Sequence, residues 1–146
     1  MAHLHPFFVS CERLLDSRLN HKPILIGGTS DRGVVASCSY EARKFGIHSA
    51  MPMRMAKQRC PEAIVIKGNS STYTKYSRLV TDIIKEASPL YEKSSIDEFY
   101  IDFTGMDRFH GVLKYSSELR QRILKETGLP ISFGLSENLL CFTMII

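Results

Sequence analysis

Phe99, Ile101 and Phe103 alternate with Tyr100 and Asp102 directly after two adjacent carboxylates, Asp97 and Glu98. Strict period-two alternation marks a strand with one face in a core. The preceding stretch, Leu90 to Ser94, reads as its partner. The two together predict a tight hairpin at the centre of a sheet, with the carboxylates at its exposed tip. In a regular strand Asp97 and Glu98 point to opposite faces, but a turn can free both from that alternation. Side by side they repel unless a cation binds them. Hard oxygen donors favour Mg²⁺, which is commonly held by one or two carboxylates plus substrate phosphates. The competing reading is a polar turn facing water.

The rest of the chain fits around this hairpin. Ala2 to Leu4 reads as a short strand. Apolar spacing at Phe8, Cys11, Leu14, Leu15 and Leu19 predicts a helix. Pro23–Ile26 and Val34–Ser37 read as strands flanking a turn at Asp31-Arg32-Gly33. Short helices follow at Tyr40–Phe45, stopped by Gly46, and at Met53–Cys60, between Pro52 and Pro61. Ala63–Ile66 is a strand. Tyr73, Tyr76, Val80, Ile83, Ile84 and Ala87 form one face of a long helix from Ser71 to Ala87. Val112–Leu124 is a helix with Leu119, Ile123 and Leu124 inward, and Ile131–Leu135 a last strand. With the stretch between the first two long helices set aside, the order is close to βαββαβ, a split, ferredoxin-like pattern. The expected class is α+β, an antiparallel sheet with helices on one face and a small inserted subdomain.

The 146 residues suffice for one ordinary domain. With 44% hydrophobic and 23% charged residues, disorder is excluded as the main state. Between Tyr40 and Cys60 the bases Arg43, Lys44, Arg54, Lys57 and Arg59 face one acid, Glu41, a local excess equal to the whole chain's +4. Such a cluster suits an anionic partner, nucleotide or nucleic acid, or else a solvated helix surface. Four scattered cysteines without a CxxC pair argue against zinc and against a disulfide framework. No signal peptide precedes the first helix, and the apolar run Leu139–Ile146 is too short to span a bilayer. A cytoplasmic setting without membrane contact is the default expectation.

Four segments, in order, carry a family resemblance. Ser94-Ser95-Ile96-Asp97-Glu98-Phe99-Tyr100-Ile101-Asp102 resembles the S-x-D-E-x-(Y/F)-(L/I/V)-D signature of the Y-family, or DinB/UmuC-type, translesion DNA polymerases. Val34-Val35-Ala36-Ser37-Cys38-Ser39-Tyr40-Glu41-Ala42-Arg43-Lys44-Phe45-Gly46-Ile47 resembles that family's fingers motif. Phe7-Phe8-Val9-Ser10-Cys11-Glu12 is similar to the opening of its first palm helix, and Ile131–Asn138 to a later strand and turn. The resemblance implies a palm formed by residues 1–20 and 69–138, with fingers at 21–68. It implies that Asp97 and Glu98 are catalytic metal ligands for Mg²⁺, with Mn²⁺ as an alternative. It implies nucleotide binding by Phe7, Phe8, Ser37, Tyr40 and Arg43, with Phe8 as the steric gate under the sugar. Tyr40 and Arg43 suit a triphosphate as a phenol donor and a guanidinium fork. Primer-template DNA and dNTP are the implied partners of a monomer, with a sliding clamp for the intact relative.

The chain also departs from the pattern. The family's opening strand ends in D-x-D-x-F-(F/Y); here the strand reads Ala2-His3-Leu4-His5-Pro6-Phe7-Phe8. Both carboxylates are absent and two residues are lost, which keeps strand parity. His3 or His5 then takes the first ligand position, a poor one for Mg²⁺ and a better one for Mn²⁺ or Zn²⁺. After Asn138 the expected phosphate-binding Lys is replaced by the divergent tail 139–146, to which the sequence assigns no role, and the thumb and little finger have no counterpart. The expectation is a catalytic-core fragment that is weakly active or inactive by itself, or a residual nucleotide- or DNA-binding module. An unrelated ferredoxin-like RNA binder is a weaker alternative, because its glycine- and aromatic-rich strand motif is not found.

Overall fold

The computed structural model describes residues 6–88, 90–105, 111–136 and, as backbone, 141–145. The expected strand Ala2–Leu4, with His3 and His5, lies outside the described residues. The chain is a mixed α+β protein with two small sheets, divided into two compact units.

One unit is Pro6–Ser70. It holds α1 (Phe7–Leu15), a 3-10 turn at Ser17–Leu19, β1 (Ile24–Gly27), β2 (Val35–Cys38), α2 (Tyr40–Arg43), α3 (Met53–Arg59) and β3 (Ile64–Ile66). β1 is central, antiparallel to β2 and parallel to β3. That position explains its unbroken apolar run: Ile24, Leu25 and Ile26 are all buried because both sheet faces are covered. Leu25 packs with Val35, Ala42, Ile47, Met51, Met53 and Ala56 on one side. Ile24 and Ile26 pack with Val9 of α1 on the other. The expected hairpin β1–β2 forms, and its backbones close tightly. A Cβ at Gly33 would lie 2.6 Å from the Gly28 carbonyl oxygen, so only glycine fits there.

The spacing of α1 misleads about its inner face. Phe7, Val9 and Cys11 are buried, whereas Leu14 and Leu15 are exposed. The helix ends at Leu15, before its second turn of leucines can reach the core. The expected helix at Tyr40–Phe45 is one turn, Tyr40–Arg43, followed by a turn through Gly46 at φ +76°.

The other unit contains α4 (Ser70–Ala87, from Ser71 on), β4 (Tyr91–Lys93), β5 (Glu98–Asp102), α5 (Val112–Thr127), β6 (Ser132–Ser136) and β7 (Cys141–Ile145). Its sheet is antiparallel between all neighbours, in the order β4-β5-β7-β6. The hairpin of β4 and β5 forms as the alternation predicts, with Phe99, Ile101 and Phe103 buried. It does not lie wholly at the centre: β4 is an edge strand and β5 is internal. On α5, Ser116, Leu119 and Ile123 face inward, and Leu124, expected inward, is 48% exposed.

The tail 139–146, for which the sequence offers no role, supplies an internal strand. β7 pairs with β5 on one side and β6 on the other. The sequence pattern agrees with this register. Phe142 and Met144 stand opposite Ile101 and Phe99, the buried row of β5, and Thr143 stands opposite Tyr100.

Candidate functional site

The acidic turn is positioned by α4. Ser77 is buried on the inner face of that helix, and its hydroxyl donates to the Ile96 carbonyl at 2.5 Å. The Lys93 ammonium donates to Ser77 Oγ at 2.5 Å and Thr81 Oγ1 at 3.2 Å, and lies 5.1 Å above the Phe99 ring. Burial, with the Arg78 charge adding to it, pulls the Lys93 amine below its ordinary value. These bonds fix the turn one residue before Asp97. The backbone N–H groups of Ser94 and Ser95 both donate to the Glu98 carbonyl and close it.

Asp97 is the last residue of the turn and Glu98 the first of β5; both are half-buried. The Ser95 hydroxyl donates to Asp97 Oδ1 at 2.9 Å, and the Tyr100 phenol to Glu98 Oε1 at 3.0 Å. Each carboxylate thus keeps acceptor capacity beyond one neutral donor. These two groups suit a single hard cation completed by water and phosphate oxygens. Among the described residues, no group of three His, Cys, Asp or Glu could hold a metal ion. Across the ladder from Glu98 stands Ile145, with Ser132 opposite Ile145 in turn. A carboxylate bridging two ions is therefore not supplied by the adjacent strand. Asp102 is used locally, accepting from the Thr104 backbone N–H at 2.8 Å and its hydroxyl at 2.5 Å.

The other expected residues lie in the Pro6–Ser70 unit. Ser37 is half-buried in β2, opposite Ile26. Tyr40 opens α2, and the Arg43 guanidinium lies 5.2 Å above its ring. Such stacking keeps the fork near an aromatic face at little entropic cost. Burial pushes the Tyr40 phenol above its ordinary value, and the Arg43 charge works against that rise. Phe7 is buried and Phe8 half-buried on the first turn of α1, their ring centres 5.7 Å apart. The basic cluster is partly neutralised: Lys57 pairs with Asp31 at 3.3 Å and Arg59 donates to the Gly46 carbonyl at 2.7 Å. Arg43, Lys44 and Arg54 are exposed.

Sequence reasoning missed two anchors. Ser39 is fully buried and its hydroxyl is a hub. It accepts from the Ile24 N–H at 2.9 Å and the Ala42 N–H at 3.3 Å, and donates to the Lys22 carbonyl at 3.3 Å. It therefore caps α2 and pins it to β1, which sets where Tyr40 and Arg43 project. A Ser directly before a helix is a readable cap signal. Arg13 of α1 adds a tie to Glu41 at 2.9 Å. Ser77 is the second missed anchor, visible in sequence as a polar interruption of the α4 stripe.

Residues 3–144 match the impB/mucB/samB family. The chain belongs to this family. It corresponds to the N-terminal portion of the Y-family DNA polymerases. A DNA polymerase IV of Treponema denticola is 43% identical over 133 residues, covering 90% of this chain and 34% of the relative. One from Dehalococcoides mccartyi is 44% identical over 137 residues, 92% of this chain and 35% of the relative. The chain thus spans about a third of these relatives' length. Among solved structures, DinB from Sulfolobus solfataricus superposes with a TM-score of 0.79 at 28% identity, over 87% of this chain and 38% of that one. An insertion ternary complex of Dbh DNA polymerase does so equally, at 0.79 and 28%, over 87% and 39%. No helix among the described residues is long and apolar enough to cross a membrane.

Proposed function

We propose that the chain is a catalytic-core piece of a translesion DNA-directed DNA polymerase, serving damage bypass in DNA repair. In the intact enzyme the reaction is nucleotidyl transfer from dNTP to a primer 3′-hydroxyl. Residues 1–20 and 69–138 form a ferredoxin-like palm and 21–68 the fingers. The observation that carries this reading is the strand–helix corner of β2 and α2. There Arg43 is stacked on Tyr40, next to Ser37, with the exposed bases Lys44 and Arg54 on the same unit. That is a grip for a triphosphate: a fork for phosphate oxygens, a phenol donor and a hydroxyl. Phe8, beside it in sequence order on α1, is the ring that excludes a 2′-hydroxyl.

Asp97 and Glu98 hold Mg²⁺, or Mn²⁺ in its place. When bound, the cation neutralises triphosphate charge and activates the primer hydroxyl. The chain's own contribution is to hold two carboxylates on a turn that Ser77 and Lys93 keep in place. Primer-template DNA and dNTP are the partners, with a sliding clamp for the whole protein; the chain is a cytoplasmic monomer.

A second reading, a nucleotide- or DNA-binding module without catalysis, is favoured by one observation. The position facing Glu98 on the adjacent strand is Ile145. Under either reading the chain binds labelled primer-template weakly, and affinity falls steeply with salt because phosphate contacts release counterions. Titration at two salt concentrations tests this. Binding undetectable at low salt, or insensitive to salt, contradicts both readings.

A further inference from the structure

β5 and β6 each run antiparallel to β7, so they are parallel to one another, and α5 connects them. They are thus the two outer strands of a split βαβ unit, with a gap one strand wide between them. The gap can only be filled by a strand running the other way. In the βαββαβ order read from the sequence, the strand ahead of α1 has that task. Here residues 141–145 perform it, with every residue from Cys141 to Ile145 in register on both sides.

We propose that the slot between β5 and β6 is a strand-acceptor site, that Cys141–Ile145 is its built-in occupant, and that this occupancy is an autoinhibitory contact. The argument is one of hydrogen bonding and patterning. An empty slot would leave the inner edges of both β5 and β6 unpaired, and unpaired edges recruit strands. The occupant matches the sheet by parity: Phe142 and Met144 stand in the rows of Ile101 and Phe99, and Cys141 and Thr143 in those of Asp102 and Tyr100. A one-residue slip would reverse every one of these pairings. While 141–145 fill the slot, a hydrocarbon position faces Glu98, and no other strand can bring a carboxylate there. The consequence for catalysis rests on the reading of Glu98 as a cation ligand; the slot and its occupant do not.

The test is a double-mutant cycle between positions 98 and 145 in the full chain, read by chemical unfolding. Directly opposed residues on an antiparallel pair share a face and interact. Ile145→Lys should therefore be less destabilising with Glu98 present than in the Glu98→Gln background. Ile145→Asp should show the opposite sign. Each coupling should amount to about a two- to fivefold shift in the unfolding equilibrium constant, and shrink in high salt. Absence of coupling for both charges overturns the proposed register. Thr143→Pro, which removes a ladder donor from an internal strand, provides an independent measurement. It should expose the Tyr100 and Phe133 amides to hydrogen exchange and let a synthetic peptide of residues 140–146 bind. Unchanged exchange and no peptide binding overturn the occupancy. Glu98→Ala measured for Mn²⁺ affinity addresses the ligand reading separately, since the cycle is run without metal.

Discussion

The Pro6–Ser70 unit is closed by segments near one another in sequence, whereas the sheet of the other unit is closed by the far end of the chain. In the first, β1 pairs with its hairpin partner and with β3, and Ser39 and Arg13 add side-chain ties. In the second, β6 has one strand partner, β7. The difference bears on function. The unit with short-range closure carries the family's fingers motif on an intact strand–helix corner. The other carries the Asp97–Glu98 turn beside a strand that is foreign to the family's pattern. Grip on a nucleotide and grip on a metal have been affected unequally.

The largest expected effect is catalytic. With Mg²⁺, template-dependent primer extension by this chain should be no faster than that of its Glu98→Ala variant. Each missing preorganised charge is typically worth about 10²-fold or more, so the shortfall against a full-length relative should span several orders of magnitude. Extension clearly above the Glu98→Ala control would break the comparison, because it would mean that the metal side is as complete as the nucleotide side.

Stability should separate the units next. Leu25 is fully buried at the middle of the first unit's core, and Leu135 is 46% exposed on edge strand β6. Leu25→Ala should cost about 2–5 kcal/mol and Leu135→Ala less than about 1 kcal/mol in chemical unfolding. Equal costs would deny the first unit its tighter core. Ser39→Ala removes a cap and strands the Ile24 N–H without its partner, and should cost about 2 kcal/mol. Ser37→Ala, on the same strand, should leave stability nearly unchanged while weakening nucleotide binding.

The smallest effect is in alkaline solution, where the units should respond with opposite signs. Burial, helped by the Glu12 charge, pushes the Cys11 thiol from 9.0 to about 12. Burial also raises Cys60 and Tyr40, all in the Pro6–Ser70 unit. A raised folded-state value gives stability that is complete below the unfolded value and is lost as pH climbs beyond it. The loss from Cys11 should reach roughly 1 kcal/mol by pH 10. In the other unit the lowered Lys93 value acts the other way, because the amine sheds its buried charge as pH rises. Unfolding followed by probes in each unit between pH 8 and 11 checks this. Cys11→Ala should flatten the slope of the first unit only.

The legible parts of the sequence were those in which local signals agreed. The Phe99, Ile101, Phe103 alternation, the glycine-bounded hairpin and the stripe of α4 each matched one period, and each forms. Leu14, Leu15 and Leu124 misled because helical spacing identifies a face but not how far the neighbouring core extends along it. Cys141–Ile145 could not be read, since a short apolar run carries no sign of which distant edges it will pair with. Among the site residues, Asp97 and Glu98 stood out as paired charges, and Tyr40 and Arg43 only through a family motif. Ser39 and Ser77 were hidden because a serine's importance lies in what it is buried against.

The most direct test of an intact nucleotide grip beside an incomplete metal grip is dNTP binding by calorimetry, with Mg²⁺ and with EDTA. The expected result is weak binding that persists in EDTA, falls about tenfold or more in Arg43→Ala through loss of a charged phosphate contact, and is unchanged in Glu98→Ala. Binding that requires Mg²⁺, is abolished by Glu98→Ala and is indifferent to Arg43→Ala would contradict the account.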